Sequence, residues 1–268
     1  MGTFELTSHQ REFMAVYGYL SFPGLLTDKI SDIEEAFETL MQRGSGATHD
    51  GGQRSCMVPF LNHSAYLCTL LDDDRISGIA AGLLGENYQY WNSDGNYYVG
   101  DTGWHSDTIW PPPIRYYKMA IYLDTVTRET GALRVIPGSH RSGEAFAEMH
   151  HDQLFRNKEM FGGLHGSEVP AVALETQPGD LVVFDHATKH SAWGGDSKRR
   201  MFTIVFTEHH SGSGLSHFQD NVRGAGYTRK EVFGETSDGP LLKDCPPERR
   251  RQLTQLLENI PDTVESSS

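Results

Sequence analysis

"QPGDLVVFDHATKHSAWGGDSKRRMFTIVF", residues 177 to 206, decides the fold class. Pro178-Gly179-Asp180 makes a turn and Leu181 to Phe184 a strand. His186 and His190 fall in a connecting segment, and Lys198-Arg199-Arg200 leads into another strand. Upstream, "YKMAIYLD", "ALRVIP" and "PAVALET" repeat the same pattern of short β-branched and aromatic runs bounded by turn residues. Before about Tyr88 the period is helical. "SHQREFMAVYGYLSFPGLL" starts from Ser8 as N-cap and carries Phe13, Met14, Tyr17 and Leu20 at helical spacing until Pro23-Gly24. "TDKISDIEEAFETLMQR" is capped by Thr27 and buries a stripe of Ile30, Ile33, Phe37, Leu40 and Met41, and "RISGIAAGLLG" ends at Gly85. Helices followed by strands, without βαβ alternation, disfavour a doubly wound parallel sheet. The expected architecture is mainly β with bracing helices, as one domain over 1–268: helical bracing at about 8–85, an antiparallel barrel or sandwich at about 88–210 and a helix at about 247–259. Residues 141 to 168 make a long polar, Gly-rich connection, the kind of loop that carries function or moves, and "TVESSS" is a fraying tail.

The totals fit a single large domain. The chain has 268 residues, with 28 glycines and 12 prolines that call for many turns. A formal charge of −13 argues against nucleic acid as a partner, since neutralising phosphates needs clustered cations and the tight basic runs stop at Lys198-Arg199-Arg200 and Arg249-Arg250-Arg251. Cys56, Cys68 and Cys245 form neither a disulfide framework nor a metal knuckle. No apolar stretch approaches the ~20 residues that cross a bilayer. "MGTFELTSHQ" does not have the charged-then-apolar layout of a secretory signal, so a cytoplasmic location without membrane attachment is expected.

"TGWHSDTIW", residues 102 to 110, places His105 and Asp107 two apart, on one face of an extended segment. A bare His-x-Asp is more often a solvated loop with a capping aspartate. A carboxylate here and imidazoles at His186 and His190 change that balance. They are the ingredients of the 2-His-1-carboxylate triad, which holds non-haem Fe(II) by one face and leaves positions open. An arginine on the following strand then has a purpose, because its guanidinium fork grips the far carboxylate of a 2-oxo diacid.

Taken together, "WHSD", "TRETGALRVIPGSHR", "PGDLVVFDHATKH" and the Arg199-Arg200 pair resemble the phytanoyl-CoA dioxygenase family of Fe(II)/2-oxoglutarate oxygenases, over most of the chain from His9 to about His210. The resemblance implies a double-stranded β-helix, or jelly roll. It also implies Fe(II) with 2-oxoglutarate and O2 as co-substrates, release of succinate and CO2, and hydroxylation of an unactivated C–H bond in a small-molecule metabolite. His105, Asp107 and His190 become the metal ligands, with His190 preferred to His186. The co-substrate arginine falls on Arg199 or Arg200, and counting back from Phe206 favours Arg199. Asn92 and Asn96 stand where relatives present amides to the co-substrate, although Asn-Ser-Asp-Gly-Asn is equally ordinary turn sequence. Lys118 and Ser191 are further candidates for co-substrate contact. Trp110, Trp193 and Arg115 are candidates for substrate contact, against the commoner outcome that tryptophans pack the core. Of Lys118, Arg115 and Arg134, one facing an anionic substrate is the functional alternative to charges that face water. His140 is expected to be structural. The halogenating relatives replace the carboxylate ligand, so Asp107 points to hydroxylation. A monomer or homodimer is expected. The rival readings are a zinc-dependent hydrolase and a non-catalytic small-molecule-binding jelly roll.

Overall fold

The computed structural model describes residues 4–153, 164–234 and 239–263. The chain opens with α1 (Ser8–Tyr17), β1 (Tyr19–Phe22), α2 (Ile30–Arg43), β2 (Ser55–Met57), α3 (Ala65–Cys68) and α4 (Asp74–Leu84). The strands β3 (Gln89–Tyr98), β4 (Thr102–His105), β5 (Tyr116–Tyr122) and β6 (Leu133–Val135) follow, then α5 (Ala145–Gln153), β7 (Val172–Leu174), β8 (Leu181–Asp185), β9 (His190–Ala192) and β10 (Arg199–Thr207). Four helices complete the described chain: α6 (Gly212–Ala225), α7 (Arg229–Phe233), α8 (Pro247–Gln252) and α9 (Thr254–Asn259).

Among the described residues the strands form two antiparallel sheets, ordered β1-β8-β5-β10-β3-β2 and β4-β9-β6-β7. From β3 to β10 the chain passes back and forth between them, which is the jelly-roll winding. Period-two alternation gives the larger sheet two faces. On β5, Tyr117, Met119 and Ile121 join Phe202, Ile204 and Phe206 of β10 in the core beneath the helices, with Ile33 and Phe37 of α2. The intervening Ala120 and Tyr122 pack with Met201, Val182 and Leu133 between the sheets.

Several elements differ from the sequence expectations, each for a local reason. Helix α1 is capped by Thr7, which forms a reciprocal box with Gln10, and it stops at Gly18 in a left-handed conformation (φ 82°). A Cβ there would lie 2.5 Å from the His140 ring, so only glycine fits. Leu20 therefore belongs to β1, on the edge of the large sheet against β8. Helix α2 begins at Ile30 rather than at Thr27, whose hydroxyl donates to the Gly24 carbonyl. The expected C-terminal helix is divided at Leu253 into α8 and α9. The Asn-Ser-Asp-Gly-Asn stretch is no turn but the middle of β3, paired to β10 on one side and β2 on the other. There Gly95 leaves room for the Phe60 ring, which an added Cβ would meet at 2.3 Å. The long 141–168 connection contains α5, and its residues 154–163 lie outside the described residues. Residues 264–268 of the expected fraying tail lie outside them too.

Candidate metal centre and co-substrate cavity

The end of β4 and the start of β9 are hydrogen-bonded neighbours, and the register sets His105 opposite His190. Their ring centroids are 4.2 Å apart. Each ring is oriented from behind: His105 Nδ1 bonds the Gly103 carbonyl and His190 Nδ1 the Thr188 carbonyl, both at 2.8 Å. That arrangement fixes the tautomer and aims both Nε2 atoms at one point. Asp107 follows two residues beyond His105, held by its backbone N–H donating to the His186 carbonyl at 2.9 Å. Its carboxylate oxygens lie 3.6 Å from His105 Nε2 and 3.5 Å from His190 Nε2. One donor atom from each of the three side chains lies within 4.8 Å of the others.

The electrostatics suit a cation. Burial, with the neighbouring His105, pushes the His190 imidazole down to about 3, so it is neutral and its lone pair available. Burial would raise Asp107, but the Lys118 ammonium and the imidazoles of His190, His186 and His105 hold it well below the usual carboxylate range. Two imidazoles and one carboxylate on one side of a point, with cavity on the other, fit Fe(II).

The cavity, about 60 Å³, lies between the sheets and is walled by the triad together with Tyr98, Lys118, Tyr122 and Arg199. Arg199 enters it from the first position of β10, is 5% exposed, and sits 5.3 Å over the Tyr98 ring. Its Nη1 is buried without a hydrogen-bond partner. Leaving such a donor unpaired is costly, so it marks where an acceptor belongs. The space around it is kept by glycines: a Cβ on Gly131 would come within 1.7 Å of Nη1 and one on Gly195 within 2.2 Å.

The remaining candidates divide. Ser191 lines the cavity and its Oγ accepts from Trp193 Nε1 at 2.8 Å. Lys118 lines it as well, its Nζ donating to Asp107 Oδ2 at 2.6 Å. Asn96 stands behind the wall, accepting from Arg54 Nε at 2.7 Å and donating to Asp94 Oδ1 at 3.0 Å. Asn92 borders a separate pocket with Tyr227 and Val222. Trp193 is buried in a small core with Trp104, Ile136 and Val169. Trp110 stacks on His151 at 3.5 Å and donates to Glu148, outside the cavity lining. Arg115 is largely exposed beside Asp185, and Arg134 donates to the carbonyls of Ser167 and Arg128. His186 is buried with no hydrogen-bond partner for its Nε2 and is pushed down to about 3 by burial. His140 bonds the Ala15 carbonyl at 3.2 Å, which ties β6's exit loop to α1. Sequence reading missed Asp94, Tyr98, Tyr122 and Thr203 of the cavity wall. Alternation outward from Arg199 and Lys118 carries that signal, since Thr203 shares the parity of the first and Tyr122 that of the second.

A jelly roll with this donor set and a buried arginine defines the class of non-haem iron oxygenases that use a 2-oxo acid. The profile of the phytanoyl-CoA dioxygenase family matches residues 15–201, and the chain belongs to that family. Ectoine dioxygenase of Stutzerimonas stutzeri (strain A1501) is 27% identical over 223 residues, covering 72% of this chain and 73% of the relative. Among solved structures, the α-ketoglutarate-dependent carbocyclase SnoK from nogalamycin biosynthesis superposes with a TM-score of 0.59 at 23% identity, covering 78% of this chain and 87% of that one. EctD from S. alaskensis with 2-oxoglutarate and 5-hydroxyectoine superposes with a TM-score of 0.57 at 24% identity and covers 76% of each chain. The protein is an Fe(II)/2-oxoglutarate-dependent dioxygenase that uses O2. No helix among the described residues is long and apolar enough to cross a membrane.

Proposed function

We propose that this enzyme hydroxylates an unactivated C–H bond of a small-molecule metabolite, with release of succinate and CO2. In this reading His105, Asp107 and His190 hold the metal and Arg199 anchors 2-oxoglutarate. The observation that carries it is the unpartnered Arg199 Nη1 in the cavity that the triad closes. A guanidinium so placed receives the far carboxylate of a diacid whose other end lies at the metal. A zinc hydrolase has no use for it.

Bound iron with 2-oxoglutarate and O2 supplies the oxidising chemistry. The chain binds, orients and excludes water. His105 and His190 keep their Nε2 atoms turned inward because backbone carbonyls hold the opposite nitrogens. Asp107 would supply the third protein donor, the position that a halogenating enzyme gives up to a halide, and this supports hydroxylation over halogenation. Tyr98, Tyr122 and Phe184 give the cavity apolar walls that limit solvent around the co-substrate.

Anaerobic addition of Fe(II) and 2-oxoglutarate should produce a weak visible charge-transfer band, and His105→Ala should abolish it. A folded, metal-loaded protein that shows no band refutes the reading. Succinate formation on admitting O2, screened across candidate metabolites, then finds the substrate.

A further inference from the structure

We propose that Arg54 is a positioning residue for the co-substrate: through the ring of Tyr98 it holds the Arg199 guanidinium in the orientation that grips the far carboxylate of 2-oxoglutarate. The inference rests on the oxygenase reading and adds a residue to it. Three side chains lie in a row at one end of the large sheet. Arg199 is paired with Tyr98 across β10 and β3, and Ser55 of β2 is paired with Tyr97 on the other edge of β3, which sets Arg54 level with Tyr98. The Tyr98 ring carries both guanidiniums, Arg54 at 4.5 Å from its centroid and Arg199 at 5.3 Å.

Arg199 needs such support. Its Nη1 has no hydrogen-bond partner, and Gly131 and Gly195 leave the space beside it open. The Tyr98 ring therefore restrains the plane of the guanidinium, and an anchor that grips a carboxylate through two N–H groups depends on that plane. Arg54 is fixed where Arg199 is not. Its Nε donates to Asn96 Oδ1 at 2.7 Å, and its Nη2 meets Cys56 Sγ at 3.4 Å and Asp94 Oδ2 at 4.0 Å. Asn96 is fully buried and donates in turn to Asp94 Oδ1 at 3.0 Å. Order thus passes from Asp94 and Asn96 to Arg54, from Arg54 to the ring, and from the ring to Arg199. Arg54 stands outside the cavity lining, and its polar contacts are with none of His105, Asp107 and His190. Its side chain is 43% exposed, so salt screens its long-range attraction for a dianion, whereas a contact made through the ring survives salt.

The test uses the full chain loaded with Mn(II) and titrated calorimetrically with 2-oxoglutarate and with pyruvate, which keeps the 2-oxo acid but has no far carboxylate for Arg199. Arg54→Gln should weaken 2-oxoglutarate binding about three- to tenfold, equally at about 0.05 M and about 0.5 M salt, and leave pyruvate and Mn(II) binding within about twofold. Tyr98→Leu should lose about as much, and Tyr98→Phe, which keeps the ring, should bind like wild type. Adding Arg54→Gln to Tyr98→Leu should change little more, because both act through one contact. Arg54→Met, which keeps the aliphatic stem, replaces the glutamine variant if that variant does not fold. A wild-type protein that binds no 2-oxoglutarate, or an Arg199→Ala variant that binds it undiminished, defeats the reading on which the inference rests. With those two results normal, four outcomes each overturn this inference alone: an unchanged affinity in Arg54→Gln, an equal loss for pyruvate or Mn(II), a loss that vanishes at high salt, or one that adds in full to that of Tyr98→Leu. A Tyr98→Phe variant as weak as Tyr98→Leu overturns it too.

Discussion

Arg199 and Arg200 are adjacent on β10 and serve opposite sides of one sheet. Arg199 reaches into the metal cavity, while Arg200 lies against α2, bonding Asp124 at 2.6 Å and both Glu34 and Glu38 at 3.2 Å. Arg199→Ala should therefore weaken 2-oxoglutarate binding by about 2–4 kcal/mol, roughly thirty- to a thousandfold in Kd. Arg200→Ala should leave that Kd within a few fold and lower unfolding stability by about 1 kcal/mol, because its partners are partly solvated. Calorimetric titration of both variants checks the assignment, and the reverse pattern would defeat it.

Gly131 should behave as part of the co-substrate site although it touches no ligand. It sits at φ 94° with Arg199 Nη1 where a Cβ would go. Gly131→Ala should displace the guanidinium and raise the Kd for 2-oxoglutarate at least about tenfold. It should also lose about 1 kcal/mol of stability to backbone strain. Metal affinity, measured with Mn(II), should stay near wild type because the triad is on other strands.

Trp110 lies three residues past Asp107 but stacks on His151 and bonds Glu148. Trp110→Ala should cost about 1–2 kcal/mol of stability while leaving the Fe(II)/2-oxoglutarate band intact. A lost band with an unchanged melting temperature would place the indole at the reacting centre instead.

Stability should fall on mild acidification. Burial pushes His140 and His151 down to about 4, below the ordinary histidine value of 6.5. Between these values the unfolded chain binds protons that the folded chain does not, so stability present above pH 6.5 is lost as pH falls towards 4. Each histidine contributes at most about 1.4 kcal/mol per pH unit. Asp185, raised by burial from 3.8 to about 6, acts the other way below pH 6, because the folded state is then the one that binds the extra proton. The net loss is expected to set in below about pH 7 and to be steepest between about pH 6 and pH 5. Urea denaturation at pH 7.5, 6.3 and 5 should show this slope, and His140→Gln should reduce it.

Much of the site is legible in the residues themselves. The spacing of His105 and Asp107 suggests a shared strand face, but β4 ends at His105 and Asp107 lies just beyond it, brought alongside by its backbone bond to the His186 carbonyl; His190 follows a strand that its own composition announces. β3 is legible less well, because Asn-Ser-Asp-Gly-Asn has the local preferences of a turn. Pairing on both edges and the Phe60 ring over Gly95 override them. The end of α1 is similar: helical spacing runs through Leu20, but the close approach of His140 and Thr188 to Gly18 turns the chain into β1.

The sequence by itself determined the alternation of strand faces, the types of the side chains in the candidate metal centre and the family. Only the tertiary structure decided which face each parity meets. Period two requires that Arg199 and Arg200 diverge, yet it does not say which enters the cavity, because that depends on α2 covering one side of the large sheet and β4, β9 and β6 the other. The same holds for Lys118 and Asp107, eleven residues apart, whose contact at 2.6 Å exists because two sheets pack face to face. Local sequence encodes direction along a strand, whereas distance between strands arises from packing the whole chain.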